Sequence, residues 1–97
     1  MAKYKVIVSK HVAEHLLEHV RFISNVSLVA ARNFISEYES ILNRLENNPF
    51  EFQIDTSFDN PDEYRRAVFS KWYKCIFLIK GSTVYIDSVI DCRQDKP

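Results

Sequence analysis

The stretch from Tyr64 to Arg93 constrains the fold of this chain more than any other. It contains three runs rich in Val, Ile, Phe and Tyr, separated by two short polar breaks at residues 70–71 and 80–82. Short β-prone runs joined by tight polar turns predict a three-stranded antiparallel meander. Gly81 is the only glycine of the chain and lies at the second break. Glycine adopts positive φ without a steric penalty, as a tight hairpin requires.

The first half of the chain predicts a strand followed by two helices. The β-branched residues 4–8 indicate a first strand, and Ser9 is a suitable N-cap for a helix that ends near Asn25. A second apolar stripe begins after Ser27 and predicts a second helix. This helix should end at Asn47-Asn48-Pro49, where asparagine can adopt a left-handed cap and proline cannot continue the helix. Apolar residues spaced by three or four predict an antiparallel helical hairpin. Its two stripes are Val12, Ala13, Leu16, Val20 and Ile23, then Leu28, Ala31, Phe34, Ile35, Tyr38, Ile41, Leu42 and Leu45.

Residues 50–63 are ambiguous. Phe50, Phe52 and Ile54 alternate with polar residues, which fits either a short strand or a loop pinned by aromatic side chains. Asn60-Pro61 is a turn signal, and we interpret the segment as mostly loop. A chain of 97 residues with 46% hydrophobic residues is enough for one core. We therefore predict a single α+β domain over residues 1–97: strand, two-helix antiparallel hairpin, then meander.

The sequence shows no signal for a membrane or for export. No apolar run approaches the roughly 20 residues that a membrane helix needs. The first ten residues lack the apolar core of a signal peptide, so we expect a cytoplasmic protein with no membrane partner. Counting outward from the Gly81 turn, Cys75 would face Ser88, which argues against a disulfide with Cys92. Cys75 is better interpreted as a small buried hydrophobic residue.

Positive charge is concentrated in the predicted meander. Residues 64–97 contain seven Lys or Arg against three acids, whereas the remaining residues carry six against ten, so the total net charge is zero. We expect Arg65, Lys74 and Arg93 to converge on one sheet surface, where they would suit a phosphate backbone or a transition state that gains negative charge. The alternative is ordinary surface charge, or pairing with Asp87, Asp91 and the acids of residues 50–63.

Three histidines form two overlapping H-x-x-E-H patterns, the inverted zinc-protease signature. The spacing of four places His11, His15 and His19 on one helical face, which could hold a metal. Such proteases need a third protein ligand and a substrate cleft that a chain of this size barely accommodates. We interpret the histidines as a solvent-facing stripe, and we predict neither a metal nor another cofactor.

The order of these elements resembles the RelE/ParE family, the toxins of bacterial type II toxin–antitoxin modules. The resemblance covers nearly the whole chain and is strongest over residues 64–95, where a Tyr64-Arg65-Arg66 strand and an aromatic-rich strand precede a last strand ending in the sequence DCRQD. It implies a growth-arresting toxin neutralised by a cognate antitoxin. The target would be either mRNA in the ribosome, which RelE-like members cut, or DNA gyrase, which ParE-like members inhibit.

The resemblance also assigns candidate roles to residues. Arg65, Lys74 and Arg93 match basic positions of the family and become candidate catalytic groups. Ala67 departs from the pattern, since RelE-like nucleases often have a lysine there, and no tyrosine follows Arg93. These departures leave open whether the chain is an enzyme. Further residues that we expect to bind the partner are Arg66, Lys71 and Trp72, the only tryptophan.

Two other functions remain open from the sequence. One is a non-toxic binding module of the same fold. The other is a small metal-dependent hydrolase that uses the stripe of His11, His15 and His19.

Overall fold

Helical and strand segments follow one another along the chain as the apolar spacing predicts. The computed structural model describes residues 3–56 and 63–95. Two helices follow a first strand and precede four more strands, and short 3-10 helices lie at Pro49–Glu51 and Cys92–Asp95. The main elements are β1 (Lys5–Val8), α1 (Lys10–Val26), α2 (Leu28–Asn47), β2 (Gln53–Ile54), β3 (Tyr64–Phe69), β4 (Tyr73–Lys80) and β5 (Thr83–Asp91).

The five strands form one mixed sheet in the order β1-β5-β4-β3-β2. The antiparallel pairing of β3, β4 and β5 confirms the predicted meander. The first strand, β1, lies parallel to β5 and pairs only with its residues Thr83–Ile86. The segment before the meander contributes the two-residue strand β2, which pairs with β3. The turn predicted at Asn60-Pro61 lies outside the described residues.

Serine side chains set the start of both helices. The Ser9 hydroxyl accepts a hydrogen bond from the Val12 N–H at 3.2 Å, so the predicted N-cap is confirmed. Ser27 both ends α1 and begins α2, and its hydroxyl accepts from the Ala30 N–H. At the end of α2, Asn48 has a φ of −155°, so the prediction of a left-handed asparagine cap is wrong. The following proline starts a 3-10 helix there instead.

Both turns of the meander require positive φ. Gly81 has a φ of 61°, as its position predicts. The turn between β3 and β4 achieves the same conformation without glycine, since Ser70 and Lys71 have φ values of 48° and 66°. Residues with a side chain rarely adopt this region, so the β3–β4 turn carries local backbone strain.

The core lies between the helical hairpin and one face of the sheet. Phe34 and Leu45 of α2 are fully buried, as are Cys75, Phe77 and Val84 of the sheet. The predicted stripes are therefore broadly correct but too wide. Ala13, Leu28 and Ile35 belong to them by spacing and are nevertheless exposed, because the sheet covers only the centre of each helical face.

A β-bulge changes the predicted register of the last hairpin. Between the pairs Phe77–Ile86 and Ile76–Ser88, strand β5 contains one extra residue, Asp87. Cys75 therefore lies opposite Val89, and the pairing with Ser88 that counting from the turn predicts is wrong. Cys75 and Cys92 are not joined by a disulfide, and Cys75 is buried, as predicted.

The burial of Cys75 predicts selective thiol labelling. Burial raises the pKa of the Cys75 thiol to about 12, so it remains protonated and shielded near neutral pH. Cys92 is only partly buried. We expect a maleimide to modify Cys92 alone in the native protein at about pH 8, and both thiols in denaturant. Mass spectrometry of the intact protein counts the adducts, and a native Cys92→Ser variant that still takes up reagent would contradict this account of Cys75.

Strand alternation gives the sheet two distinct faces. Residues directly opposite one another on paired strands share a face. Arg65 and Ala67 share a face with Phe77 and Cys75, and this face, which packs against the helices, is called the helix face below. Lys74 and its partner Val68 lie on the opposite side, called the outer face. No helix among the described residues is long and apolar enough to cross a membrane.

Candidate functional site

The three cations predicted to form one catalytic surface do not lie together. Arg65 is on the helix face of β3, whereas Lys74 is on the outer face of β4. Arg93 lies beyond the end of β5, in the short helix that follows it. The expectation that they converge on one sheet surface is wrong. The reason is that successive side chains along a strand point to opposite faces of the sheet. Arg65 shares a face with its partner Phe77, whereas Lys74 shares the other face with its partner Val68.

Arg65 is held within the structure by three contacts. Its Nη1 donates to the Phe52 carbonyl oxygen at 2.6 Å, and its Nη2 donates to a Glu63 carboxylate oxygen at 3.0 Å. Its guanidinium also lies 5.2 Å from the centre of the Phe50 ring. The side chain is only 15% exposed. Arg65 therefore fastens the 3-10 segment before β2 to the sheet and presents little charge to a ligand.

A buried carboxylate pairs with two cations of the outer face. The Asp55 side chain has no exposed surface, and its Oδ2 lies 3.2 Å from Lys74 Nζ and 4.0 Å from an Arg66 Nη1. Arg66 also donates to the Gln53 side-chain oxygen at 3.0 Å. Burying a carboxylate without a counter-charge is costly, so this arrangement stabilises the fold. The alternative interpretation of the basic residues, pairing with acids of residues 50–63, is confirmed for Lys74 and Arg66, and also for Arg65 through Glu63.

Arg93 forms a bidentate pair with Asp91. Its Nε and Nη2 donate to the two Asp91 carboxylate oxygens at 3.0 and 2.9 Å, and its backbone N–H donates to Oδ1 at 3.0 Å. The guanidinium lies 5.7 Å from the centre of the Trp72 ring and 5.9 Å from that of Tyr73. Unlike Arg65 and Lys74, the Arg93 side chain is 45% exposed. It is therefore the predicted cation best placed to meet a ligand.

We expect the Asp91–Arg93 pair to stabilise the protein at neutral pH and to lose this effect in acid. Hydrogen bonds from Arg93 lower the pKa of Asp91, while burial opposes them. An unfolded aspartate titrates near a pKa of about 3.9, so the contribution is fully present above that pH and is lost as the pH falls through the lower, folded-state pKa. We expect Asp91→Asn to reduce stability at neutral pH and to flatten the loss of stability below about pH 4. Urea unfolding at several pH values measures this, and parallel curves for both proteins would contradict it.

His19 does not belong to a solvent-facing stripe. Its Nε2 donates to the Val89 carbonyl oxygen at 3.0 Å, because a carbonyl can only accept. Its ring packs edge-on against Tyr73, with ring centres 5.2 Å apart. His11 and His15 are exposed, as expected, so the prediction of a solvent-facing stripe is wrong for His19 alone. Within residues 3–56 and 63–95, no group of three His, Cys, Asp or Glu side chains is arranged to hold a metal.

Two neighbouring hollows beside α1, which share Phe22, form a groove, called the α1 groove below. The first has a volume of about 460 Å³ and is lined by His15, Glu18, His19 and Phe22 of α1 and by Ser88–Asp91 of β5. The second, of about 330 Å³, lies between the end of α1 and the β3–β4 turn. Phe22 lines both hollows and is 59% exposed. The groove therefore offers a continuous, partly apolar surface.

The second hollow brings together two of the three predicted partner-binding residues. Lys71 and Trp72 line it with Arg93, and Trp72 is 44% exposed. Lys71 Nζ lies 5.2 Å from the centre of the Trp72 ring. Arg66, the third predicted partner-binding residue, lies on the outer face instead. The candidate site is thus the α1 groove with Lys71, Trp72 and Arg93 at one end.

Sequence reasoning did not foresee the contact made by His19, and it gave the pairing of Asp55 and Asp91 with basic residues only as an alternative. Asp55, Asp91 and His19 each determine where a cation or a strand carbonyl is held. Asp91 had a readable signal, because it lies only two residues from Arg93 in the sequence, close enough for the two side chains to pair. The pairing of Asp55 with Lys74 depends on a contact across 19 residues and has no local signal.

A solved structure shares this architecture. The chain is similar to a chain of the archaeal RelE–RelB complex from Pyrococcus horikoshii OT3, with a TM-score of 0.57 and 18% sequence identity. The match covers 93% of this chain and 96% of the other. No protein-family model matches the sequence, and no curated protein sequence matches it. The structural match confirms the predicted α+β architecture as a RelE-like fold.

Proposed function

We propose that this chain is the toxin of a toxin–antitoxin pair, which arrests bacterial growth from the cytoplasm and is neutralised by a bound antitoxin protein. The observation that carries the proposal is the structural match over 93% of the chain to a protein solved as a RelE–RelB complex. The exposed α1 groove supports it, because contiguous apolar surface of this kind is typical of protein interaction sites.

We further propose that the toxin acts by binding DNA gyrase rather than by cutting mRNA in the ribosome. A nuclease of this kind needs cations aimed together at the scissile phosphate. Here Arg65 and Lys74 lie on opposite faces of the sheet, and both are engaged by oxygen atoms of the protein. Tyr73, whose ring lies beside Arg93, is only 2% exposed. Burial, followed by the charge of Asp91, raises the pKa of its hydroxyl, so this tyrosine is poorly suited to exchange a proton with a substrate. These features favour a mechanism that needs no nuclease site.

Induced expression in a bacterium tests the toxin role. We expect growth to stop when the chain is expressed alone and to resume when the protein encoded by the adjacent gene is co-expressed. A variant that combines Asp55→Ala with Phe34→Ala is expected to be unfolded, because the two losses of stability add, and it serves as the matched control for the burden of expression. Normal growth of cells that accumulate the folded wild-type chain would contradict the toxin role, and would favour a non-toxic binding module.

The mode of arrest distinguishes the two targets. Gyrase inhibition predicts induction of the DNA damage response while mRNA remains intact. Fragmentation of mRNA without that response would instead assign the chain to the RNA-cutting members of the fold. The same cultures provide both measurements, by a damage-response reporter and by northern blot.

A further inference from the structure

The turn between β3 and β4 holds a conformation that its own residues disfavour. Ser70 and Lys71 have φ values of 48° and 66°, although both carry a side chain. The Trp72 N–H donates to the Ser70 carbonyl oxygen at 2.6 Å, so Lys71 is the centre of a three-residue turn with positive φ. Turns of this kind are rare and strained. Such strain persists only where the surrounding structure holds the backbone in place.

Helix α2 supplies the contacts that hold this turn. The Glu37 Oε1 accepts a hydrogen bond from the Ser70 N–H at 3.0 Å. The ring centres of Phe34 and Tyr38, which flank Glu37 in α2, lie 5.1 and 5.9 Å from that of Phe69, the last residue of β3. A hydrogen bond to a carboxylate is stronger than one between neutral groups. Glu37 therefore fixes the first residue of the turn, and the two rings fix the strand that precedes it.

The same turn positions the 3-10 helix Cys92–Asp95. The Trp72 carbonyl oxygen accepts from the Cys92 N–H at 2.7 Å, which attaches the start of that helix to the turn. The Arg93 guanidinium lies 5.7 Å from the centre of the Trp72 ring. Lys71, Trp72 and Arg93 all line the second hollow of the α1 groove. The relative positions of these three side chains therefore depend on the conformation of the turn.

We propose that Glu37 is a positioning residue for the candidate site. By accepting from the Ser70 N–H it holds the turn, and the turn fixes Trp72. The hydrogen bond between Trp72 and Cys92 then fixes the backbone that carries the Arg93 guanidinium. A site whose side chains are ordered before binding loses less conformational entropy when the target binds. The inference rests on the proposed function, because it takes these side chains to be the part of the toxin that meets gyrase.

Loss of the Glu37 carboxylate should loosen the site without unfolding the protein. Glu37 is exposed, so Glu37→Ala should keep the circular dichroism spectrum of the wild type. In this variant the Cys92 amide should exchange its hydrogen faster by at least about fivefold, which corresponds to the left-handed penalty of one residue. The concentration of the chain that half-inhibits supercoiling by gyrase should rise by a similar factor. NMR and the supercoiling assay provide the two measurements.

Two further variants distinguish positioning from the mere loss of a side chain. Glu37→Gln keeps an oxygen that can accept from Ser70, and it should restore most of the Cys92 protection and most of the inhibition. Adding Ser70→Gly to Glu37→Ala should do the same, because glycine adopts positive φ without a steric penalty. Glu39→Ala is the matched control. Glu39 is also an exposed glutamate of α2, but it lies about 200° around the helix axis from Glu37 and should change neither measurement.

The outcomes separate this inference from the proposed function. If the wild-type chain does not inhibit supercoiling, the proposed function fails, whereas faster Cys92 exchange in Glu37→Ala would still support the positioning role. If Glu37→Ala weakens inhibition but leaves Cys92 exchange unchanged, Glu37 contacts the target directly and only this inference fails. Unchanged exchange together with unchanged inhibition would overturn the inference as well. The same holds for a loss in Glu37→Ala that neither Glu37→Gln nor the added Ser70→Gly reverses.

Discussion

Replacing Asp55 with alanine is expected to lower the free energy of unfolding by about 3–5 kcal/mol, which is a large part of the stability of a domain of this size. The Asp55 carboxylate is fully buried and lies 3.2 Å from Lys74 Nζ. Lys74 is itself only 14% exposed, so it would be left largely buried without a counter-charge. Urea unfolding followed by Trp72 fluorescence measures the change.

Glu63→Ala is the matched control for that variant. Glu63 also pairs with an arginine at 3.0 Å, but its side chain is 59% exposed. Exposed pairs contribute little, and we expect a loss of less than about 1 kcal/mol. Adding Lys74→Met to Asp55→Ala should recover part of the stability, since the unpaired charge is removed. Equal, small effects of Asp55→Ala and Glu63→Ala would show that Lys74 is well solvated and free to act on a substrate.

Phe34→Ala should destabilise the protein by about 3–5 kcal/mol, because it leaves a cavity where the helical hairpin meets the sheet. The Phe34 ring is fully buried. Its centre lies 5.1 Å from that of Phe69 and 4.8 Å from that of Tyr73. The ring therefore joins α2 to the two strands that border the β3–β4 turn.

The neighbouring residue provides the control. Ile35 is 41% exposed, so Ile35→Ala should cost less than about 1 kcal/mol. The same unfolding measurement applies to both variants. Similar losses for the two would indicate that α2 is rotated from the orientation described above.

Local signals predicted most of the fold. Ser9, Gly81 and the apolar spacing of α2 each act within a few residues, and each feature they predict is present. The position of β1 beside β5 could not be predicted, since it depends on pairing between segments more than 70 residues apart. The register at Cys75 was also missed, because a bulge at Asp87 has no clear sequence signature.

The candidate site was harder to predict than the fold. Counting basic residues placed Arg65 and Lys74 on the correct strands and Arg93 just after the last one, but it could not show that the three lie on different surfaces. The face on which a strand residue lies follows from the register of the paired strands. The net charge of a surface depends on which acidic residues pair with its basic residues. Asp55 and Glu63 come from a segment that the sequence left ambiguous, and they neutralise much of the positive charge on which the catalytic hypothesis rested.

Two purified reactions test most directly whether the chain acts as the proposed toxin without a nuclease site. In the first, DNA gyrase supercoils a relaxed plasmid in the presence of the chain. In the second, ribosomes programmed with a short mRNA are incubated with the same preparation. Our account predicts that supercoiling stops, that the mRNA remains whole, and that the adjacent-gene protein restores supercoiling. Cleavage of the mRNA together with unimpaired supercoiling would contradict it.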